Sequence, residues 1–168
     1  MKQKSIKLNA FLNVIKTAFS LIFPLITFPY VTRMLQVEAM GKYDFSSSII
    51  SYFVLLAALG IDVYAVREGA KYRNDKEKME QFASEIFSIN LYATWVSYLL
   101  LFCSLLFVDK LKGYTIFILL FSLQLILATL SVTWIYNIYE DFGFITIVTL
   151  AMQFIAVCLM FLLVHSAE

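Results

Sequence analysis

Five long runs of apolar residues, each nearly free of charge, dominate this chain of 168 residues. A helix needs about 20 mainly apolar residues to cross a bilayer, and every run reaches that length. A strand of a membrane barrel would instead alternate polar and apolar residues over about 10 positions. The runs therefore predict an all-α membrane protein whose five transmembrane helices lie near residues 8–32, 44–66, 84–108, 114–138 and 143–164.

The composition excludes the other broad classes of protein. Hydrophobic residues make up 61% of the chain and charged residues 15%, and the mean hydropathy is +0.82. A soluble domain of this size cannot bury so many apolar side chains, and a disordered chain would be far more polar. The net charge of +1 gives no reason to expect a nucleic-acid partner. With two cysteines and one histidine, we expect neither a metal site nor a cofactor. We expect one transmembrane helical domain over residues 1–168.

The basic residues predict the orientation of the chain in the membrane. Three lysines precede the first run and the loop 67–82 holds five more basic residues, whereas the opposite side holds fewer. Because basic loops stay in the cytoplasm, we expect the amino terminus of this multi-pass protein to lie there. In the same loop, Asn74 followed by Glu77 is typical of a helix start, so the third helix is expected to run from Asp75.

Each predicted helix carries one polar or small face at the helical spacing of about 100° per residue. Two explanations are open: such faces let membrane helices pack closely, or together they line a wet cavity. The faces comprise Asn9, Asn13, Lys16, Thr17, Ser20, Pro24 and Thr27 in the first helix, Ser47, Ser51, Ala58 and Asp62 in the second, Asn90, Thr94, Ser97 and Ser104 in the third, Ser122, Thr129, Thr133, Tyr136 and Asn137 in the fourth, and Thr146, Thr149 and Gln153 in the fifth.

Lys16 favours a cavity beside the first helix. It lies roughly 13 Å inside the span, where a charge costs at least about 2.5 kcal/mol unless it reaches water or a partner; snorkelling to the membrane surface is the alternative. Asp62 is either an interfacial acid or a functional one. Pro24 and Pro29 each remove a backbone donor from the first helix, which produces either a static kink or a hinge along a substrate path.

The sequence offers little for catalysis. His165 stands alone near the end of the last helix, and Cys103 and Cys158 lie in apolar runs, where cysteine behaves as a small hydrophobe. No Gly-rich phosphate loop, paired-acid metal motif or Cys-x-x-Cys is present in the sequence. The adjacent acids Glu140 and Asp141 occupy a turn between two spans, where they are either solvated or make a gating contact. The pattern favours transport over an enzymatic reaction.

Four ordered motifs give the chain a resemblance to a known family. Over residues 5–147 it resembles the bacterial polysaccharide repeat-unit flippases of the Wzx type, within the multidrug/oligosaccharidyl-lipid/polysaccharide exporter superfamily. The motifs are residues 24–33 in the first helix, 41–46 at the start of the second, 60–61 with 67–71 at the following loop, and 134–137 with Glu140-Asp141 at the end of the fourth.

The resemblance implies a fold of about a dozen or more helices in two lobes around a central cavity, of which five helices would supply most of the amino-terminal lobe. We therefore expect the chain to be a fragment of such a protein, or to pair with another chain. The implied setting is the bacterial cytoplasmic membrane. The implied partners are membrane lipids, a lipid-linked oligosaccharide and other polysaccharide assembly proteins.

The implied task is to pass a polyprenyl-pyrophosphate-linked sugar unit between leaflets. Under this hypothesis Lys16 and Arg33 attract the pyrophosphate or an acidic sugar. Arg67 does so more weakly at the inner mouth of the cavity. Asn13 and Ser51 belong to the cavity wall, and Asp62 and Glu140 pair with cations during closure.

Three alternatives to a flippase stay open from sequence. One is an ion-coupled multidrug-type exporter of the same superfamily, with Asp62 as the coupling acid. Another is a membrane transferase, which would need an acidic metal cluster that the sequence does not display. The third is a non-transporting scaffold subunit, whose loss would leave sugar-unit translocation unchanged.

Overall fold

The computed structural model describes residues 6–34 and 37–163, which form seven α-helices. Two amino-terminal lysines and residue 164, the end of the fifth predicted helix, lie outside the described residues, as does the side chain of Asn9. No strand occurs among the described residues. The helices are α1 (Ile6–Met34), α2 (Val37–Ala58), α3 (Ile61–Gly69), α4 (Lys76–Phe107), α5 (Thr115–Leu130), α6 (Thr133–Ile138) and α7 (Phe142–Leu163).

Five helical segments within residues 6–34 and 37–163 are long and apolar enough to cross a membrane. This confirms the prediction of an all-α membrane protein with five spans. Two of the segments combine two helices each, α2 with α3 and α5 with α6. The segments are Phe11–Met34, Val37–Tyr72, Lys76–Phe107, Asp109–Ile138 and Phe142–Leu162.

The second predicted helix, 44–66, is interrupted in the structure after Ala58. Leu59 and Gly60 both have positive φ, 46° and 70°, so two consecutive residues adopt the left-handed conformation before α3 begins. Glycine adopts this conformation freely, whereas an L-residue pays roughly 1–2 kcal/mol for it. The amide of Leu59 still donates to the Leu55 carbonyl at 3.3 Å, which closes the last turn of α2.

The fourth predicted helix, 114–138, is interrupted as well. Ser131 has φ −74° and ψ 99°, an extended conformation that ends α5, and α6 begins at Thr133. The hydroxyls of Ser131 and Thr133 are hydrogen-bonded at 2.8 Å. No glycine or proline marks this point, so the interruption could not be expected from the sequence pattern.

The start of α4 differs from the prediction by one residue. Asp75, not Asn74, is the N-cap, and its Oδ1 accepts a hydrogen bond from the Lys78 amide at 3.2 Å. From there α4 continues unbroken from the predicted loop into the third span, as expected. Its 32 residues are about 48 Å long at 1.5 Å per residue, so α4 is longer than the hydrocarbon core, which is about 30 Å thick.

The described residues divide into two compact units. One contains α1 and α7, and the other comprises Gly41–Ile138. Within the first unit, α1 and α7 run in the same direction, because their contacts ascend together along both helices. Thr146 donates to the Leu12 carbonyl at 3.4 Å, Gln153 donates to Ser20 at 3.2 Å, and Tyr30 meets Phe161 edge-on at 4.6 Å. A first and fifth span of alternating direction must be parallel in this way.

The second unit is held together by two apolar contact regions and a polar layer. One region is a cluster of Ile50, Leu101, Leu111, Ile118 and Leu125, contributed by α2, α4, α5 and the turn before α5. The other joins α3, α4 and α6, where Gly69 allows such close approach that a methyl group there would overlap Ile138. A polar layer joins α4 to α5 through hydroxyls and one backbone carbonyl.

Candidate functional site

The polar faces of α4 and α5 face each other in the second unit. The hydroxyls of Thr94 and Thr129 are hydrogen-bonded at 2.5 Å, and both residues are buried. Tyr98 donates to the Ser122 carbonyl at 2.6 Å. These contacts fit the packing explanation for the polar faces of the third and fourth spans, because the hydroxyl groups of these faces form hydrogen bonds that join two helices.

The polar face of α1 is divided between two surroundings. We define this α1 polar face as Asn13, Lys16, Thr17, Ser20 and Thr27. Lys16, Ser20 and Thr27 are half-buried, and Ser20 meets Gln153 of α7. Asn13 and Thr17 are exposed and line an open depression of about 520 Å³ on the surface of α1.

The depression combines two polar residues with three apolar ones. Its wall is formed by Asn13, Val14, Thr17, Ala18 and Leu21. The Thr17 hydroxyl donates to the Asn13 carbonyl at 2.8 Å, so its oxygen still has a lone pair to offer to a ligand. The Asn13 carboxamide supplies both a donor and an acceptor at the same place. A surface of this kind can bind hydroxyl-bearing ligands while an apolar part of the ligand lies beside it.

Lys16 adds the charge that the depression itself lacks. It lies one turn after Asn13 on the same side of α1 and is half-buried. Within the described part of the chain, Lys16 has no hydrogen-bond or ion-pair partner. An ammonium group at this depth gains free energy from water or from an anion. The group is therefore suited to binding a phosphate or carboxylate.

Arg33 is separated from Lys16 along α1. It is exposed in the last turn of the helix, about 25 Å further along the axis and about 100° around it at ideal helical geometry. A pyrophosphate group is far shorter than that distance. The two cations therefore cannot hold one pyrophosphate at the same time. The sequence prediction did not distinguish simultaneous binding by both cations from binding by one after the other.

The predicted site residues of the second unit lie on α2 and α3. Ser51 is exposed on α2 and donates to the Ser47 carbonyl at 2.8 Å. Arg67 is exposed in the last turn of α3 and pairs with Glu68 at 3.5 Å between Nε and Oε1. Glu68 also pairs with Lys71 at 2.5 Å. Arg67 therefore shares its carboxylate partner with a second cation.

Asp62 lies in the first turn of α3, directly after the left-handed break. A carboxylate in the first turn of a helix is stabilised by the helix dipole. This local role was hidden from the sequence prediction, which placed Asp62 inside one continuous helix. Among the described residues Asp62 forms no hydrogen bond or ion pair through its side chain.

The turn before α7 contains the two adjacent acids. Glu140 has a positive φ of 54°, and Asp141 Oδ1 accepts from the Phe144 amide at 3.4 Å. Asp141 therefore helps to begin α7, as acids before helices commonly do. The structure brings Asn13 and Lys16 together on α1. Glu140 lies in the same unit, in the turn before α7. The other unit contains Ser51, Asp62 and Arg67.

The sequence prediction missed one contact of the site. It placed Ser20 and Gln153 on the polar faces of two different helices, but helical periodicity does not tell which faces meet. Their hydrogen bond is one of the contacts that join α1 and α7. Within residues 6–34 and 37–163, no group of three or more His, Cys, Asp or Glu is placed to hold a metal ion.

The five spans and the partly open polar face of the first span define a multi-pass membrane protein. A family model described as "Polysaccharide biosynthesis protein" matches residues 6–167, so the chain belongs to this family of polysaccharide biosynthesis membrane proteins. The family resemblance predicted from the sequence is thereby confirmed.

A protein of Escherichia coli (strain K12) named "Putative O-antigen transporter" is similar to the chain, with 20% identity over 162 residues. The match covers 96% of this chain and 39% of the relative, so the chain spans well under half of that protein's length. No solved structure matches the chain.

Proposed function

We propose that the chain acts in the translocation of polyprenyl-pyrophosphate-linked oligosaccharide units across the bacterial cytoplasmic membrane, as the amino-terminal part of a two-lobed flippase. The observation that carries the proposal is the α1 polar face, which stays partly open instead of being consumed in packing. Membership of the polysaccharide biosynthesis family supports the substrate class. The relative named as an O-antigen transporter supports transport as the activity.

The physical task is to shelter a polar anionic headgroup while its lipid tail stays in the bilayer. Asn13 and Thr17 offer hydrogen bonds to sugar hydroxyls, while Val14 and Leu21 of the same depression offer apolar surface beside them. Lys16 offers a positive charge beside them. Ser51 is proposed to play the same part as Asn13 on the other unit.

The separation of Lys16 and Arg33 indicates an order of contacts. We propose a cytoplasmic amino terminus, for which Lys16 would lie nearer the inner surface and Arg33, in the last turn of α1, nearer the outer one. The pyrophosphate would meet Lys16 first and Arg33 about 25 Å later. Arg67 would attract the headgroup at the inner mouth once it releases Glu68. Asp62 and Glu140 are proposed to pair with cations during closure.

Replacement of Lys16 in the complete protein tests this proposal. We expect Lys16→Met to lower the rate of sugar-unit translocation at least about tenfold, the effect of losing one charge-assisted contact, and Lys16→Arg to retain most of it. The rate is measured in membrane vesicles with a lipid-linked oligosaccharide, at matched protein levels. Lys110→Met, which removes an equal charge from the loop before α5, is the control.

Two outcomes would count against the proposal. Equal rates for wild type and Lys16→Met would remove Lys16 from the mechanism. Unchanged translocation in cells that lack the protein would favour a scaffold subunit instead. The orientation is tested separately by labelling cysteines placed in the connections 70–75 and 109–114 from each side of the membrane. The first connection should react only from the cytoplasm.

A further inference from the structure

Pro24 leaves one backbone carbonyl of α1 without its usual donor. In a helix the amide of residue 24 would donate to the carbonyl of Ser20, but proline has no N–H. Inside a bilayer such a carbonyl must find another donor, because each unsatisfied polar group costs several kcal/mol there. The Ser20 carbonyl is therefore a point on α1 where a donor from another helix matters, as is the Leu25 carbonyl four residues before Pro29.

A donor from α7 lies beside this point. Nε2 of Gln153 donates to the hydroxyl of Ser20 at 3.2 Å. A carboxamide nitrogen carries two hydrogens, so this contact uses only one of them. Oε1 of Gln153 is buried and has no hydrogen-bond partner among the described residues. The carboxamide is thus held through one bond and retains a second hydrogen to donate.

A second polar contact between described residues of α1 and α7 is of a different kind. Thr146 meets the Leu12 carbonyl at 3.4 Å and the Phe142 carbonyl of its own helix at 2.7 Å. The Leu12 carbonyl faces the amide of Lys16, which can donate to it in the ordinary helical way. A threonine hydroxyl also has a single hydrogen. Thr146 therefore joins the helices without serving a carbonyl that lacks a donor.

We propose that Gln153 is a positioning residue that controls the bend of α1 at Pro24. In the state described here its carboxamide holds the Ser20 hydroxyl. When α1 bends at Pro24 and the Ser20 carbonyl opens outward, the second amide hydrogen of Gln153 bonds to that carbonyl. Gln153 thereby gains one further hydrogen bond in the bent state, which favours bending, and keeps the amino-terminal half of α1 attached to α7.

The consequence concerns the polar surface of α1. Asn13 and Lys16 lie before the bend and Arg33 after it. A bend at Pro24 therefore changes the position of Lys16 relative to Arg33, and Gln153 sets how far. This consequence for transport rests on the proposed function, whereas the hydrogen bonding at Pro24 does not.

A double-mutant cycle between Gln153 and Pro24 tests the inference in the complete protein. Gln153→Met keeps the length of the side chain and removes its hydrogen bonds, and Pro24→Ala returns an N–H to the Ser20 carbonyl. The first measurement is the rate at which a membrane-impermeant maleimide labels Asn13→Cys, in a protein whose Cys103 and Cys158 are replaced by serine. The second is the rate of translocation.

In the protein that keeps Pro24, we expect Gln153→Met to change both rates about fivefold, the equivalent of one hydrogen bond. In the Pro24→Ala background, the same replacement should have less than about half that effect. Thr146→Val, the matched control, should have equal effects in both backgrounds. If Pro24→Ala accumulates poorly, Pro24→Gly restores the same N–H. Equal effects of Gln153→Met with and without Pro24 would overturn the inference, because they describe a simple contact between helices.

The two measurements separate the two hypotheses. Coupling in the labelling rates of a protein that does not translocate lipid-linked sugars would uphold the role of Gln153 and reject the proposed function. Translocation by the wild type without coupling in either rate would do the reverse.

Discussion

The two compact units use polar side chains in opposite ways. In the second unit, Thr94 and Thr129 are buried against each other between α4 and α5. In the first unit, none of the described side chains of α1 is buried, and Asn13 and Thr17 remain exposed beside a depression. The same residue types, at the same helical spacing, thus join helices in one unit and leave a polar surface open in the other.

The difference shows that burial, rather than polarity, distinguishes a packing face from a candidate binding face. Hydroxyl groups between membrane helices are worth roughly 0.6–2 kcal/mol each, so a face that is consumed in packing should affect stability when it is changed. A face left open should affect binding instead. Replacements in the two units therefore test whether this difference between the polar faces holds.

The largest effect on stability is expected at Gly69, where the second unit has no spare room. A methyl group there would overlap Ile138, so Gly69→Ala should destabilise the protein by about 1–3 kcal/mol through overpacking. Gly41→Ala is the matched control, because nothing lies within 4 Å of the added atom. Thermal unfolding of the purified protein measures both. Equal midpoints for the two variants would show that α3 and α6 are packed more loosely than described.

The sequence predicts the spans far better than their interruptions. The length of an apolar run can be read directly from the sequence, so the five runs predict the five spans. Gly60 is a local signal for a break after α2, but nothing in the sequence indicates that Leu59 shares its left-handed conformation, and the break at Ser131 has neither glycine nor proline. Both depend on how α3 and α6 pack against their neighbours.

The candidate site is predicted in part for a similar reason. Periodicity places Asn13, Lys16 and Ser20 on one face of α1, but the division of that face depends on the position of α7. Gln153 was identified as polar, and its partner was not. Contacts between distant helices depend on their register, which a single sequence does not contain.

A second prediction compares the two polar faces directly. Thr129→Val should lower the free energy of unfolding by about 1 kcal/mol and leave the KM for a lipid-linked oligosaccharide unchanged. Thr17→Val should do the reverse, raising KM about threefold through the loss of one weak hydrogen bond while stability is kept. Both replacements have the same shape and remove the same hydroxyl. If Thr17→Val acts mainly on stability, the α1 polar face is a packing face and the comparison fails.

A smaller effect is expected at the break between α2 and α3. Leu59 has φ 46° and is exposed, so Leu59→Gly should stabilise the protein by about 0.5 kcal/mol, the balance of relieved strain and added chain entropy. Leu55→Gly, at an exposed position inside α2, should instead destabilise it by about 1 kcal/mol. Chemical unfolding in detergent micelles distinguishes the two signs. Destabilisation by both variants would mean that the break does not strain the backbone.

The smallest effect concerns the cap of α4, outside the membrane-spanning part of the comparison. The side-chain hydrogen bond from Lys78, followed by that from the Lys78 amide, lowers the pKa of Asp75 below its ordinary value of 3.8. Because the folded pKa is the lower one, the contribution of this carboxylate to stability is present above the ordinary value. It is lost as the pH falls through the folded pKa.

Limited proteolysis of the segment 67–82 between pH 6 and pH 3, run with an acid-active protease, measures this effect. Its size is expected to be about that of one solvated ion pair. Asp75→Asn keeps a capping oxygen and should remove only the extra cleavage at low pH. Asp75→Ala removes the cap and should raise cleavage at every pH. If Asp75→Asn cleaves like Asp75→Ala at pH 6, the charge of Asp75 rather than its position as the N-cap holds the start of α4.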